Sequence, residues 1–155
     1  MNDGKNNFKE GYFYPAYGAT KTLARDFDAD GDVDLAMIAF FSENDKGKNE
    51  SFLYFQNQGK LQFQVSNLNL PDDARYMSMD AGDFDKDGDS DFIFASTSYT
   101  IDNKYIYIIE NKGDGVWSLF KKIDGFVWPR KGGVADFDNN GYLDFFVADH
   151  GYEAQ

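Results

Sequence analysis

The chain has 155 residues, 42% of them hydrophobic and 18% aromatic, with a formal net charge of −12 and an isoelectric point near 4.3. That balance fits one β-rich globular domain and argues against nucleic acid or an anionic membrane as a partner. The absence of cysteine excludes a disulfide scaffold and a thiolate metal site, and no apolar run reaches the length of a membrane span.

In chain order, "MNDGKNNFKE" opens the sequence without the apolar core of a signal peptide. It holds a turn signal, "NDG" at 2–4, followed by the aromatic run "FKEGYFY" at 8–14, which reads as a strand. Four strands are predicted next: "TLARDF" (22–27), "VDLAMIAF" (33–40), "SFLYFQ" (51–56) and "LQFQVS" (61–66). Four more follow in the same order: "YMSMDAGDF" (76–84), "DFIFAST" (91–97), "KYIYIIE" (104–110) and "VWSLFK" (116–121). The segment "YLDFFVAD" (142–149) begins the pattern a third time. No helix is predicted.

Two markers keep step through this series. "DFDADGDVDL" (26–35), "DFDKDGDSDF" (83–92) and "DFDNNGYLDF" (136–145) are spaced 57 and 53 residues apart (83 − 26 and 136 − 83). The turns "NDG" (2–4), "NQG" (57–59) and "NKG" (111–113) are spaced 55 and 54 apart (57 − 2 and 111 − 57). A period of this order is the mark of a propeller, a solenoid or an array. The runs "LAMIAF" and "FIFA" are apolar on both faces, as in strands between stacked sheets, while "LQFQV" alternates like a strand with one wet face. Small stacked sheets of four antiparallel strands describe β-propeller blades. The expectation is therefore an all-β, incomplete propeller. Residues 22–75 and 76–130 would be full blades, 1–21 the last strand of a preceding blade, and 131–155 the first strands of a following one. Such a segment is expected to belong to a larger protein and to self-associate through open blade edges.

The aspartates ask for a cation. With each loop numbered 1 to 9, Asp26, Asp28 and Asp30 occupy positions 1, 3 and 5, Gly31 position 6 and Asp34 position 9. The second loop offers Asp83, Asp85, Asp87, Gly88 and Asp91, and the third Asp136, Asp138, Asn140, Gly141 and Asp144. Alternation is expected to throw positions 1, 3 and 5 to one side and to send Phe27, Phe84 and Phe137 into the core. The glycine would let the carbonyl of position 7 (Asp32, Asp89 or Tyr142) join the same centre. Unit charges about 4 Å apart repel by roughly 4 kcal/mol at an effective dielectric near 20, so converging carboxylates need neutralising. Oxygen donors without His or Cys select a hard cation, and a crowded protein cage suits Ca²⁺ better than Mg²⁺. Up to three calcium ions are expected. An EF-hand is excluded, because position 12 is Met37, Phe94 or Val147 rather than Glu.

Tandem D-x-D-x-D-G-x-x-D loops with N-x-G turns between them resemble the FG-GAP/VCBS family, including the calcium-binding blades of integrin alpha-chain propellers. The resemblance implies calcium ligands at positions 1, 3, 5 and 9 with a carbonyl at 7, and a binding or adhesion scaffold that is extracellular, at the cell surface or periplasmic. The third loop departs by carrying Asn140 and is expected to bind most weakly. The alternative is a propeller portion of a calcium-dependent carbohydrate-active enzyme.

Alternating strand direction puts the Asp loops and N-x-G turns at one rim. The segments 14–20, 42–50, 67–75, 97–103 and 121–130 fall at the other. There Tyr14, Tyr17 and Trp128 are candidates for a surface that takes a protein or glycan ligand, although packing between blades explains each of them more simply. His150, the only histidine, lies in no nucleophile motif, so no catalytic residue is assigned. Arg25, Arg75 and Arg130 read as cations that offset acidic neighbours.

Overall fold

The structure, a computed structural model, describes residues 1–40, 50–68, 75–97 and 104–151. Most of three connections expected at the second rim (42–50, 67–75 and 97–103) lie outside the described residues. Ten strands are present: β1 (Ala19–Arg25), β2 (Asp34–Ala39), β3 (Phe52–Asn57), β4 (Phe63–Leu68), β5 (Arg75–Gly82), β6 (Asp91–Thr97), β7 (Ile106–Asn111), β8 (Trp117–Ile123), β9 (Pro129–Ala135) and β10 (Asp144–Asp149). They form two four-stranded antiparallel sheets, β1-β2-β3-β4 and β5-β6-β7-β8, and one two-stranded sheet, β9-β10. Among the described residues there is no helix, and so none long and apolar enough to cross a membrane.

Strand alternation builds two apolar interfaces out of each central strand. Phe92 and Phe94 of β6 face the first sheet, where Phe52 lies 5.2 Å from Phe92 and Trp117 lies 5.0 Å from Tyr54, ring centre to ring centre. Ile93 and Ala95 of the same strand face the other way, against Val134, Phe145 and Val147 of β9 and β10. This is why "FIFA" is apolar throughout. The first strands of the sheets are also tied by hydrogen bonds across the stack. Thr20 Oγ1 donates to the Tyr76 carbonyl (2.9 Å), Arg25 Nη1 to the Ala81 carbonyl (2.9 Å), and the Val134 amide to Asp80 Oδ2 (3.0 Å).

Two strands start later than the sequence pattern predicts. Lys60 and Leu61 adopt left-handed conformations (φ 54° and 60°) after Gly59, so the turn absorbs Leu61 and β4 begins at Phe63. Asp114 and Gly115 (φ 52° and 70°) do the same before β8, which begins at Trp117.

The N-terminal segment differs from its expected form. Residues 8–14 form no strand; their one ladder contact is the bridge Asn2↔Phe8. That bridge has the spacing of the pairs Asn57↔Phe63 and Asn111↔Trp117, so the first N-x-G turn is built like the other two. Beyond it the chain lies across the outer face of the first sheet, with Tyr12 4.7 Å from Phe63 and Tyr14 5.0 Å from Phe55. Aromatic burial against Met37, Leu53 and Phe55 decides the path here, because no strand runs beside these residues to supply a ladder.

Candidate metal centres in the three aspartate loops

Each loop joins the first two strands of its sheet: 26–33 follows β1, 83–90 follows β5 and 136–143 follows β9. In each, the carboxylates of positions 1, 3 and 9 come together. One oxygen from each of Asp26, Asp28 and Asp34 lies within 4.8 Å of the other two, and the same holds for Asp83, Asp85, Asp91 and for Asp136, Asp138, Asp144.

The convergence does not come from strand alternation, as the sequence pattern suggests. It comes from a turn with two left-handed residues, at position 4 (Ala29 φ 59°, Lys86 65°, Asn139 59°) and at position 6 (Gly31 94°, Gly88 103°, Gly141 86°). Glycine meets that demand at position 6 without strain. Backbone amides then hold the side chains. The position 6 amide donates to position 1, at 3.0 Å from Gly31 to Asp26, 3.1 Å from Gly88 to Asp83 and 2.8 Å from Gly141 to Asp136. The amide of position 5 donates to the carboxylate of position 3 in all three loops (3.3, 3.2 and 3.1 Å).

Position 5 itself is not part of the close triads. Asp30, Asp87 and Asn140 accept instead from the amides of position 7, Asp32 (2.8 Å), Asp89 (2.9 Å) and Tyr142 (2.8 Å). Positions 5 and 7 thus flank the triads and brace one another.

Position 9 opens the second strand and is the most sheltered acid. Asp34 is 0% exposed and Asp91 2% exposed. Each accepts the position 2 amide on one oxygen: Phe27 to Asp34 at 3.3 Å, Phe84 to Asp91 at 2.9 Å. Each accepts on the other oxygen from the asparagine of the N-x-G turn, whose amide donates at 2.8 Å (Asn57) and 2.9 Å (Asn111). Burial pushes both carboxyls above their ordinary range, against the pull of those amides. The two markers that keep step in the sequence are therefore in contact. The asparagine side chains close their own turns onto Gly59 (2.9 Å) and Gly113 (3.0 Å). Sequence reasoning read Asn57 and Asn111 as turn residues only, although their fixed distance from the Asp loops carried the signal.

Further groups of the site were not legible as motifs. Tyr54 Oη donates to Asp34 Oδ2 (2.7 Å), and Gln56 Nε2 donates to Asp28 Oδ2 (2.8 Å). Burial, then the neighbouring Asp34 carboxylate, holds the Tyr54 hydroxyl protonated. In the third loop Asn140 Nδ2 donates to Asp138 Oδ2 (3.0 Å), and Phe137 is 57% exposed rather than in the core. Only Phe146 meets its ring, at 6.0 Å, because no sheet covers that side of β10 among the described residues. Phe27 is fully buried and Phe84 partly, packed on the second apolar cluster.

The donor set fits a hard cation. The converging atoms of the triads are all carboxylate oxygens, and Asp83 Oδ1 is shut off from solvent with no donor, an arrangement that is costly for a carboxylate. Tyr14 packs on Phe55 and donates to Glu50 (3.2 Å), Tyr17 is exposed, and Trp128 carries the Arg130 guanidinium at 5.1 Å. Of the three arginines, Arg25 meets an acid, Asp80 at 3.3 Å, while Arg75 and Arg130 stack on the rings of Phe40 and Trp128. The exposed His150 donates its amide to the Trp128 carbonyl (3.0 Å).

Residues 26–94 match the family model described as an FG-GAP-like repeat, a span running from the first position of the first loop into β6. Over that span the match supports an FG-GAP/VCBS-like repeat.

Proposed function

We propose that the chain is a calcium-binding repeat module of a larger extracellular protein, serving as a binding or adhesion scaffold for a protein or glycan ligand. In this reading each four-stranded sheet is a propeller blade, with blades at 22–75 and 76–130 and partial blades at 1–21 and 131–155. The face-to-face stacking of two sheets with identical strand order supports it.

The observation that carries the calcium reading is the threefold recurrence of one carboxylate triad, each with its three ligand atoms within 4.8 Å. Asp26, Asp28 and Asp34 would hold the first ion, Asp83, Asp85 and Asp91 the second, and Asp136, Asp138 and Asp144 the third. Positions 5 and 7 would complete each shell with a side-chain oxygen and a carbonyl. A bound divalent cation would remove the repulsion among the carboxylates and so fix the loops against their sheets. The role is structural: a rigid rim on which the surrounding loops are displayed.

Titration calorimetry and thermal melts with calcium or chelator test this. The expected result is uptake approaching three ions per chain, with dissociation constants of about 10⁻⁴–10⁻³ M, the range of extracellular modules. At free calcium about 100 times the dissociation constant, each site adds roughly 2.7 kcal/mol to folding. No heat and an unchanged melting temperature would mean that the loops are solvated turns.

A further inference from the structure

The first two loops share a backbone but not their surroundings. One residue before the turn asparagine stands Gln56 in the first repeat and Glu110 in the second; three residues before it stand Tyr54 and Ile108. In the first repeat both side chains are donors to the triad, Tyr54 to Asp34 and Gln56 to Asp28. In the second repeat neither position supplies a donor: Ile108 is apolar and Glu110 is a further acceptor.

The consequence is visible in the second loop. Asp85, Asp91 and Glu110 line one cavity of about 30 Å³, walled otherwise by Phe84, Ile108 and Phe120. That is room for one water-sized occupant. Asp83 Oδ1, in the same loop, is shut off from solvent and accepts no hydrogen bond. Glu110 has its own counter-charge, Lys112, in contact with Oε1; the Glu110 side chain is 17% exposed and the Lys112 side chain 48%. Lys112 is the more exposed partner of that pair and also feels Asp85 and Asp87 at longer range, but among the described residues no cation is in ion-pair contact with the second triad.

We propose that Glu110 sets the affinity of the second loop, making it the tightest of the three calcium sites, whereas Gln56 and Tyr54 make the first loop a partly self-satisfied and weaker one. This rests on the calcium reading above. A cation entering the second loop gains a further carboxylate beside Asp85 and Asp91 and displaces no side-chain donor. A cation entering the first must compete with the Gln56 amide and the Tyr54 hydroxyl for oxygens they already hold. Higher ligand charge and fewer competing donors both favour the second loop.

The test is a calcium titration of the full chain followed by nuclear magnetic resonance, reading the amides of Gly31, Gly88 and Gly141, each of which donates to the first aspartate of its own loop. In the unmodified chain the Gly88 signal is expected to saturate at the lowest calcium. Glu110→Gln should raise the Gly88 midpoint about tenfold and leave those of Gly31 and Gly141 in place, while Gln56→Glu should lower the Gly31 midpoint by a similar factor. Lys112→Met, which keeps Glu110 and removes its counter-charge, should lower the Gly88 midpoint. The proposal is overturned if calcium is taken up but Gly88 saturates last, or if Glu110→Gln leaves its midpoint unchanged. It is equally overturned if Lys112→Met and Glu110→Gln raise that midpoint alike, since Glu110 would then act only as half of an ion pair. If no signal moves in the unmodified chain, the calcium reading itself fails and this inference with it.

Discussion

The first and third aspartate loops share the residues of positions 1, 2, 3, 6 and 9 and the same turn, yet have different settings. Around the first, the phenylalanine of position 2 is 1% exposed and the aspartate of position 9 is fully buried. Around the third, Phe137 is 57% exposed and Asp144 half-buried. The turn alone builds the triad, because both loops have it. Burial of positions 9 and 2 is the work of the neighbouring elements: the strand that brings Asn57 to Asp34, and the second sheet that covers Phe27. A motif can thus be complete in its own ten residues while its electrostatics are set by residues some twenty positions away or in the next sheet.

The largest test of that difference is core truncation. Phe27 lies 4.9 Å from Phe92 and 6.3 Å from Tyr54, inside the interface between the two larger sheets. Phe27→Ala should destabilise the chain by about 3–5 kcal/mol in denaturant unfolding, whereas Phe137→Ala should cost under about 1 kcal/mol. Comparable losses would mean that the third loop is covered in solution as the first one is.

Next in size is the acid at position 9. In Asp34→Asn an amide nitrogen would face the donors Phe27 and Tyr54, or else Asn57, at a fully buried site. Without calcium this should cost about 1–3 kcal/mol. Among the described residues Asp144 accepts only from Phe137, and it is half-buried, so Asp144→Asn should change stability by less than about 0.5 kcal/mol. Chemical denaturation of both variants in chelator reads the contrast directly.

Acidification gives a smaller effect of definite sign. Burial holds the carboxyls of Asp34 and Asp91 above their ordinary value of 3.8, so the folded state binds their protons more readily than the unfolded chain does. Their contribution to stability is full below that ordinary value and is lost as pH rises through the raised one. In chelator, the melting temperature should therefore rise as pH falls from neutrality toward the raised values, and the rise should shrink in Asp34→Asn. With saturating calcium the dependence should invert, since protons then compete with the ion. A chelated melting temperature that falls steadily with acid would mean that other carboxylates dominate.

How much of this was legible beforehand follows from what sets each feature. The period, the four-strand order and the triads at positions 1, 3 and 9 were written in local residue types: Asp and Gly for the loop, alternating or doubly apolar runs for the strands. The start of β4 moved two residues, from Leu61 to Phe63, because positive φ at Lys60 and Leu61 is a property of the turn that neither residue type announces. The path of residues 8–14 was misread because an aromatic run looks alike whether it pairs in a ladder or lies across a sheet face, as Tyr12 and Tyr14 do. The roles of Tyr54, Gln56 and Asn57 were hidden for a simpler reason. They reach the first loop from β3, across a ladder whose register the residue pattern does not fix.

The smallest expected effect concerns position 5 of the third loop. Asn140 does two things there: Oδ1 accepts from the Tyr142 amide (2.8 Å), as Asp30 and Asp87 accept from their own position 7 amides, and Nδ2 donates to Asp138 Oδ2 (3.0 Å). The second bond has no counterpart in the other loops, where position 5 is an acid and has no donor to give. It holds two members of the third loop together without a cation, in a place where, among the described residues, no neighbouring sheet does so. Asn140→Asp keeps the first bond and replaces the second by repulsion between two carboxylates. In chelator the variant should lose a few tenths of a kcal/mol, the scale of an exposed substitution. With calcium it should gain: one more ligand charge should tighten the third site by about tenfold. The two measurements must move in opposite directions, because the same added charge harms the empty loop and serves the filled one. If the calcium midpoint read at Gly141 stays where it was while chelated stability falls, position 5 braces the turn and takes no part in holding the ion.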